Sequence, residues 1–156
     1  MATDQSLTIV SNSDKQTEDI AYKIGEQLLG GEVIELLADL GGGKTTFVRG
    51  LACGIGSSDH VSSPSFTISN EYVGKKLQLI HFDFYRLGSV GLIENALVEY
   101  LNNPGIVVVV EWADIIKRVL PNERLTIDFR VLSEAGRELK LTYPKSLDYL
   151  AEGLKK

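Results

Sequence analysis

Residues 33–54 read VIELLADLGGGKTTFVRGLACG, and this stretch decides the expected fold. Its first five residues are apolar and partly β-branched apart from one glutamate, which predicts a short buried strand. Three glycines follow at positions 41–43, and from residue 44 to about residue 55 the apolar side chains recur at helical spacing. A buried strand, a glycine-rich loop and an amphipathic helix in this order are the setting of a phosphate-binding loop.

The loop runs from Ala38 to Thr45 and fits the pattern G-x-x-x-x-G-K-[ST], with alanine in the first place. Its glycines allow successive backbone N–H groups to reach phosphate oxygens without obstruction by a Cβ atom. Lys44 is then expected to contact the β and γ phosphates of ATP, and the hydroxyl of Thr45 to ligate Mg²⁺. The alternative is a tight turn followed by a surface lysine, but the flanking strand and helix favour nucleotide binding.

Two acidic residues stand at the ends of predicted strands. Asp83 follows the run from residue 77 to residue 82, and Glu111 follows the wholly apolar run from residue 106 to residue 110. A phosphate-loop site needs such a carboxylate to hold the Mg²⁺ shell or to orient the attacking water. We favour Glu111 as the metal ligand and Asp83 as a second metal-facing or water-orienting acid, although either alone also suits a solvated strand end. His81 shares a strand face with Asp83 and is interpreted as a packed histidine.

Three features close to these motifs have both a functional and a structural interpretation. Arg86 would stabilise charge in a transition state, or form an ordinary surface ion pair. Trp112 is most simply a large core side chain at the end of a strand. Ser63, Pro64 and Ser65 lie in a polar loop, which is either a plain connection or a switch that senses the γ-phosphate.

The rest of the pattern predicts an α/β fold in one domain spanning residues 1–156. The run 106–110 is apolar throughout, which favours the centre of a sheet with both faces covered. Residues 66–73 and 77–84 are close enough for an antiparallel hairpin. The other predicted elements are strands at residues 6–10, 124–132 and 138–143, and helices at residues 17–29, 44–55, 92–101 and 147–154.

The composition suits one compact globular domain, since the 156 residues are 44% hydrophobic and 24% charged. No apolar run approaches the roughly 20 residues of a membrane-spanning helix. The N-terminus lacks the features of a secretory signal, so a cytoplasmic location is expected. Cys53 is the only cysteine, is expected to be a small buried side chain, and leaves no ligand set for structural zinc. The net charge of −5 argues against broad electrostatic attraction to nucleic acid.

Four segments together resemble the TsaE (YjeE) family: ADLGGGKTTFVRGL at 38–51, SSPSFTI at 62–68, HFDFYRL at 81–87 and VVEWAD at 109–114. The resemblance implies a P-loop α/β domain with a mixed, mostly parallel sheet, helices on both faces and an antiparallel hairpin. It also implies weak Mg²⁺-dependent ATP hydrolysis in support of tRNA modification. The partners would be the two related larger subunits, of the TsaB and TsaD type, that transfer a threonylcarbamoyl group to the adenosine beside the anticodon. Contact with the tRNA itself would be at most indirect.

The same resemblance implies roles for individual residues. Lys44, Asp83 and Glu111 would be catalytic, with Asp83 important for turnover and Glu111 ligating Mg²⁺ together with Thr45. Thr17 stands where the family has a threonine near the nucleotide base, and Arg137 where an arginine follows a glycine in a C-terminal hairpin. The phosphate loop would comprise Gly41, Gly42, Gly43, Lys44, Thr45 and Thr46. The chain departs from the family at Ala38, at Ser65 and at residues 90–92.

The residues leave two competing interpretations beside an ATPase that cycles a larger assembly. A small-molecule kinase would pass the γ-phosphate to a metabolite, but such enzymes usually need an arginine-rich lid. Lys117, Arg118 and Arg124 are the basic residues offered by the region where that lid would lie. The other interpretation is a nucleotide-sensing adaptor without meaningful turnover, and Ala38 gives it some support.

Overall fold

The structure, a computed structural model, describes residues 4–38, 43–62, 69–84, 90–112 and 117–155, with the backbone only for residues 90–93. The strands are β1 (Gln5–Ser11), β2 (Val33–Leu37), β3 (Ser69–Val73), β4 (Gln78–Asp83), β5 (Ile106–Glu111), β6 (Leu125–Val131) and β7 (Arg137–Tyr143). The helices are α1 (Asp14–Gln27), α2 (Lys44–Gly54) and α3 (Val90–Tyr100), followed by a C-terminal 3₁₀ helix (Lys145–Leu154).

The seven strands form one mixed sheet in the order β1-β7-β6-β2-β5-β4-β3. The four central strands β6, β2, β5 and β4 run parallel to one another. The strands at the two edges pair antiparallel, β3 with β4 on one side and β1 and β6 with β7 on the other. The predicted α/β fold, its mostly parallel centre and the hairpin of β3 and β4 are therefore confirmed.

The two faces of the sheet carry separate hydrophobic clusters. On one face, alternate side chains of β2 and β5 pack with α1 and α2 around Phe47 and Leu51. On the other, Val108 and Val110 pack with Ile80, Phe82 and the α3 residue Leu97. β5 lies between β2 and β4 and is buried along its whole length, as its uniformly apolar sequence predicts.

Local chemistry explains where the helices differ from the expected bounds. Helix α1 begins before residue 17 because Ser13 is its N-cap and its hydroxyl accepts a hydrogen bond from the backbone N–H of Gln16. The expected C-terminal helix is present, but its turns are of the tighter 3₁₀ type. Cys53 is exposed on α2 rather than buried, so the expectation of a small core side chain was wrong.

Within the part of the chain that the structure describes, no helix is both long and apolar enough to cross a bilayer. The longest of the α-helices, α1, has 14 residues and a polar outer face.

Candidate active site

The carboxyl ends of the parallel strands meet at one edge of the sheet, and both predicted acids lie there. Asp83 on β4 is the register partner of Glu111 on β5. Glu111 is in turn paired with Leu36, one residue before the end of β2. The edge is therefore the place where β2 leads through the glycine-rich segment into α2. In open α/β sheets, ligands bind at this end of the strands.

Helix α2 begins at this edge without a side-chain cap. Its N-cap is Gly43, which has a φ of 103° in the left-handed region that favours glycine. The first N–H groups of a helix have no partner within the helix, and the helix end carries partial positive charge. Thr45 and Thr46 lie in this first turn and are half-buried. The N-terminus of α2 can therefore receive an anion through its backbone.

Lys44 is the first residue of α2, and its side chain is folded inward with a relative exposure of 8%. The ammonium Nζ lies 3.3 Å from the carbonyl oxygen of Ala38, which it donates to, and 3.7 Å from Oε1 of Glu111. It also stands 4.5 Å from the ring centroid of Trp112. The lysine thus reaches across the start of the glycine-rich segment to the strand-end carboxylate, with an aromatic face beside it.

Glu111 is almost entirely buried, at 3% exposure, and each of its carboxylate oxygens has its own neighbour. Oε1 faces Lys44, whereas Oε2 lies 2.8 Å from Nε2 of His81. His81 is fully buried, as a packed histidine would be, but it contacts the candidate metal ligand directly. The sequence signal was the spacing of His81 and Asp83 on one strand face, and only the register of β4 and β5 reveals the partner.

Trp112 is the second residue whose position in the site the sequence did not reveal. It is half-buried against the cluster on the α3 side of the sheet, which agrees with the expected core role. Its φ of 57° is left-handed, a conformation that is rare for an aromatic residue. This turn of the backbone directly after β5 places the indole ring beside Lys44. Backbone strain of this kind often accompanies functional sites.

The antiparallel strands bring Arg137 to the same edge of the sheet. Arg137 is the first residue of β7, and a Cβ atom built on Gly43 would lie 3.8 Å from its Nε. Its Nη1 donates to the carbonyl oxygens of Gly136 at 2.9 Å and Ser133 at 3.0 Å, which holds the guanidinium against its own hairpin. The structure therefore brings together Arg137 and the start of α2, which are far apart in the sequence.

Thr17 lies on α1, next to the strand that pairs with Arg137. Ser11, the register partner of Arg137, shares a hydrogen bond of 2.7 Å with the hydroxyl of Thr17. Both hydroxyls are buried, at 0% and 2% exposure. The side chain of Thr17 thus supports the junction of β1 and α1, and its predicted place near a nucleotide base stays a prediction.

Several predicted site residues lie outside the described residues. They are Gly41 and Gly42 of the phosphate loop, the loop residues Ser63, Pro64 and Ser65, and Arg86.

The donor atoms present suit a hard divalent cation that is shared with phosphate. Among the described residues, no group of three or more His, Cys, Asp or Glu side chains is arranged to hold a metal ion. The site instead offers the carboxylates of Glu111 and Asp83 and the hydroxyl of Thr45, all of them oxygen ligands. Mg²⁺ is commonly held by one or two carboxylates together with water and substrate phosphates. The oxygen ligands that these residues offer therefore fit Mg²⁺.

Comparison with known proteins identifies the family. A family model described as "Threonylcarbamoyl adenosine biosynthesis protein TsaE" matches residues 11–139 of the chain. The chain belongs to the TsaE family. The matched region includes Thr17, Lys44, Asp83, Glu111 and Arg137, so the whole candidate site lies inside the part that defines TsaE proteins.

Individual relatives agree with this assignment. The chain is 40% identical to the tRNA threonylcarbamoyladenosine biosynthesis protein TsaE of Bacillus subtilis over 82% of its own length and 80% of the relative's. It is 37% identical to the protein of the same name of Treponema pallidum, over 85% of its own length and 98% of that protein's. Among solved structures, YdiB of Bacillus subtilis superposes with a TM-score of 0.79 at 34% identity, covering 99% of this chain and 97% of the other. The TsaE resemblance carried by the four segments is thereby confirmed.

Proposed function

We propose that this TsaE-family chain binds ATP with Mg²⁺ and hydrolyses it slowly, in support of the assembly that forms N6-threonylcarbamoyladenosine in tRNA. The observation that carries the proposal is the position of Lys44. A buried ammonium group at the N-terminus of a helix adds positive charge where the helix end is already positive. The carboxylate of Glu111 forms an ion pair with this ammonium at 3.7 Å, a longer distance than that of a charge-assisted hydrogen bond. The ammonium and the N–H groups of the helix end together favour the binding of a polyphosphate at this point.

Each residue of the site has a definite task in this proposal. The backbone N–H groups at the start of α2 and the ammonium of Lys44 bind and orient the phosphates. Glu111 and Thr45 would hold the metal, and Asp83, beside Glu111 on the next strand, would face the metal or orient the attacking water. Bound Mg²⁺ neutralises charge on the β and γ phosphates. Arg137, next to Gly43, contacts the nucleotide from the side of the C-terminal hairpin.

The partners in this proposal are two larger subunits of the TsaB and TsaD type, in the cytoplasm. Support comes from the pathway named in the family description. A γ-phosphate contact can hold a neighbouring segment in one state and release it on hydrolysis, which is how a small ATPase can cycle a larger assembly. The net charge of −5 favours tRNA contact through those subunits rather than through this chain.

Replacing Lys44 by alanine tests the proposal directly. Lys44→Ala should abolish detectable ATP binding and phosphate release, because the cation that meets the phosphates is lost. Binding is measured by calorimetric titration with ATP and Mg²⁺, and phosphate release is measured with and without the two larger subunits. The matched control is Lys145→Ala, which removes an exposed lysine at the start of the 3₁₀ helix and should change neither quantity.

Three outcomes would contradict the proposal in different ways. Unchanged ATP affinity in Lys44→Ala would remove the candidate site altogether. Rapid turnover that depends on a small acceptor molecule would favour a kinase. ATP binding without phosphate release, even with both subunits present, would leave a nucleotide-sensing adaptor.

A further inference from the structure

His81 contacts one oxygen of the Glu111 carboxylate, and Lys44 lies near the other oxygen. His81 is on β4 and has no exposed surface, and its Nε2 is 2.8 Å from Oε2 of Glu111. Oε1 of the same carboxylate is the oxygen that faces Lys44, at 3.7 Å. The two oxygens thus have distinct neighbours, one in the core and one in the site.

The hydrogen bond to Glu111 uses the ring nitrogen Nε2 of His81. A carboxylate oxygen accepts, so the N–H of Nε2 donates to Oε2. The other ring nitrogen, Nδ1, is buried and has no hydrogen-bond partner among the described residues. The polar contact of the imidazole in this part of the structure is therefore directed at Glu111.

A hydrogen bond from a buried side chain restricts the orientation of a carboxylate. It fixes the plane of the carboxylate and satisfies one oxygen, and it leaves the other oxygen to face the site. Carboxylates that ligate metals are usually held in this way by hydrogen bonds from behind, and such outer partners affect metal affinity.

We propose that His81 is a positioning residue for Glu111, which holds Oε2 so that Oε1 alone is presented to Lys44 and to nucleotide-bound Mg²⁺. This inference rests on the proposed function, because it assigns His81 a task in the Mg²⁺ site described there. His81 itself contacts neither nucleotide nor metal in this arrangement. Its effect is confined to the metal-dependent part of nucleotide binding.

Variants of His81 separate positioning from simple packing. His81→Leu keeps a side chain of similar size but removes the donor. His81→Gln carries its amide N–H about as far from the backbone as Nε2 of histidine and can restore the bond to Oε2. His81→Asn carries the amide too close to the backbone to reach Glu111. His60, the second histidine, is exposed, so His60→Gln is the matched control.

The main readout is ADP affinity, measured with saturating Mg²⁺ and again with EDTA. In His81→Leu and His81→Asn, the gain in ADP affinity on adding Mg²⁺ should be smaller than in the wild type by about tenfold or more. The ADP affinity of these variants in EDTA should stay at the wild-type value. His81→Gln should lie closer to wild type than to His81→Leu, and His60→Gln should match wild type. Thermal unfolding of each variant accompanies the titrations. If His81→Leu does not fold, the comparison of Asn with Gln carries the test.

A second readout needs neither nucleotide nor metal. In the metal-free protein, the Nε2 proton of His81 should give a slowly exchanging imidazole resonance, because it is buried and hydrogen-bonded. That resonance should be absent in His81→Gln and should exchange rapidly in Glu111→Ala.

A double variant gives a third test, again by ADP affinity. In a Glu111→Ala background, His81→Leu should cause no further loss of Mg²⁺-dependent affinity.

The outcomes distinguish this inference from the function on which it rests. If the wild-type protein gains no affinity from Mg²⁺, the proposed metal site fails and the role of His81 fails with it. If the wild type gains affinity and His81→Leu gains the same amount, only the positioning role is overturned. Equal losses of ADP affinity in Mg²⁺ and in EDTA would also overturn it, because a histidine that only supports the fold would lower both affinities alike.

Discussion

At Gly43 the backbone turns into α2 with a φ of 103°. A side chain there would have space, but residues with a side chain rarely adopt this backbone conformation. Among the described residues, the nearest atom to an added Cβ is Nε of Arg137, at 3.8 Å, which is an ordinary contact. Gly31 is its counterpart at the other end of β2, with a φ of 84° and nothing within 4 Å of an added Cβ. The two glycines are therefore alike in backbone demand and in free space, but only Gly43 adjoins the site.

Replacement of each glycine by alanine separates strain from function. Each substitution should lower the free energy of unfolding by about 1–2 kcal/mol, the cost of a left-handed residue with a side chain. Gly43→Ala should in addition weaken ATP binding by about tenfold, or 1.4 kcal/mol, because the N–H groups that meet the phosphates are displaced. Urea unfolding and ATP titration of both variants test this. Equal ATP affinities in the two variants would show that the turn at Gly43 does not shape the site.

Helices α1 and α2 pack closely because small residues lie between them. A Cβ atom on Gly50 would lie 2.3 Å from the carbonyl oxygen of Glu18 and 2.6 Å from Cβ of Ala21, both in α1. Backbone atoms of a packed helix cannot move away as a flexible side chain can. Since Lys44 opens α2, the approach of the two helices also sets where the lysine stands against Glu111.

We expect Gly50→Ala to destabilise the protein by about 1–3 kcal/mol, the usual cost of an overpacked interface. In an exposed helix the same change would stabilise the protein by about 1 kcal/mol. The sign of the change in stability therefore shows whether Gly50 lies in a tightly packed interface. Gly153→Ala is the control, because its Cβ would meet only Cβ of Lys23, at 3.8 Å. Chemical denaturation provides the measurement. A Gly50→Ala variant as stable as wild type would mean that α1 and α2 can separate without cost.

Over the whole molecule, the C-terminal 3₁₀ helix is tied to the end of the sheet opposite the site. Tyr149 donates its hydroxyl to Oε2 of Glu32 at 2.6 Å, and the same carboxylate accepts from the backbone N–H groups of Leu29 and Gly30. Burial raises the pKa of Tyr149, and the hydrogen bond and negative charge of Glu32 raise it further. The folded protein therefore favours the neutral phenol.

The raised pKa of Tyr149 determines how stability depends on pH. The contribution of Tyr149 to the free energy of unfolding is fully present below the ordinary tyrosine pKa of about 10. This contribution is lost as the pH rises above that value towards the folded-state pKa. Tyr149→Phe should cost about 1 kcal/mol at pH 7, since Glu32 keeps its two backbone donors. The difference from wild type should shrink above about pH 10. Thermal unfolding of both proteins from pH 7 to pH 11 checks this, with Tyr22→Phe on the exposed face of α1 as control. A constant difference across that range would exclude the linkage.

Sequence alone identified most elements and the parts of the site that are local in the chain. Residues 106–110 were recognised as a strand because burial on both faces leaves an uninterrupted apolar run, and residues 33–37 because they are apolar and partly β-branched apart from one glutamate. Asp83 and Glu111 were found because each stands at the end of a predicted strand, and Lys44 because it follows the three glycines of the phosphate-loop pattern. The order of strands in the sheet could not be predicted, because an apolar pattern indicates that a residue is buried but not which strand lies beside it.

The tertiary structure decided the contacts between residues distant in the chain. The pairing of β4 with β5 joins His81 to Glu111, and the pairing of β6 with both β2 and β7 brings Arg137 beside Gly43. The left-handed turn at Trp112 then places an aromatic ring beside Lys44. The physical reason is that hydrophobic periodicity is set by each segment's own surroundings, whereas register and strand order follow from how all the buried faces are covered at once.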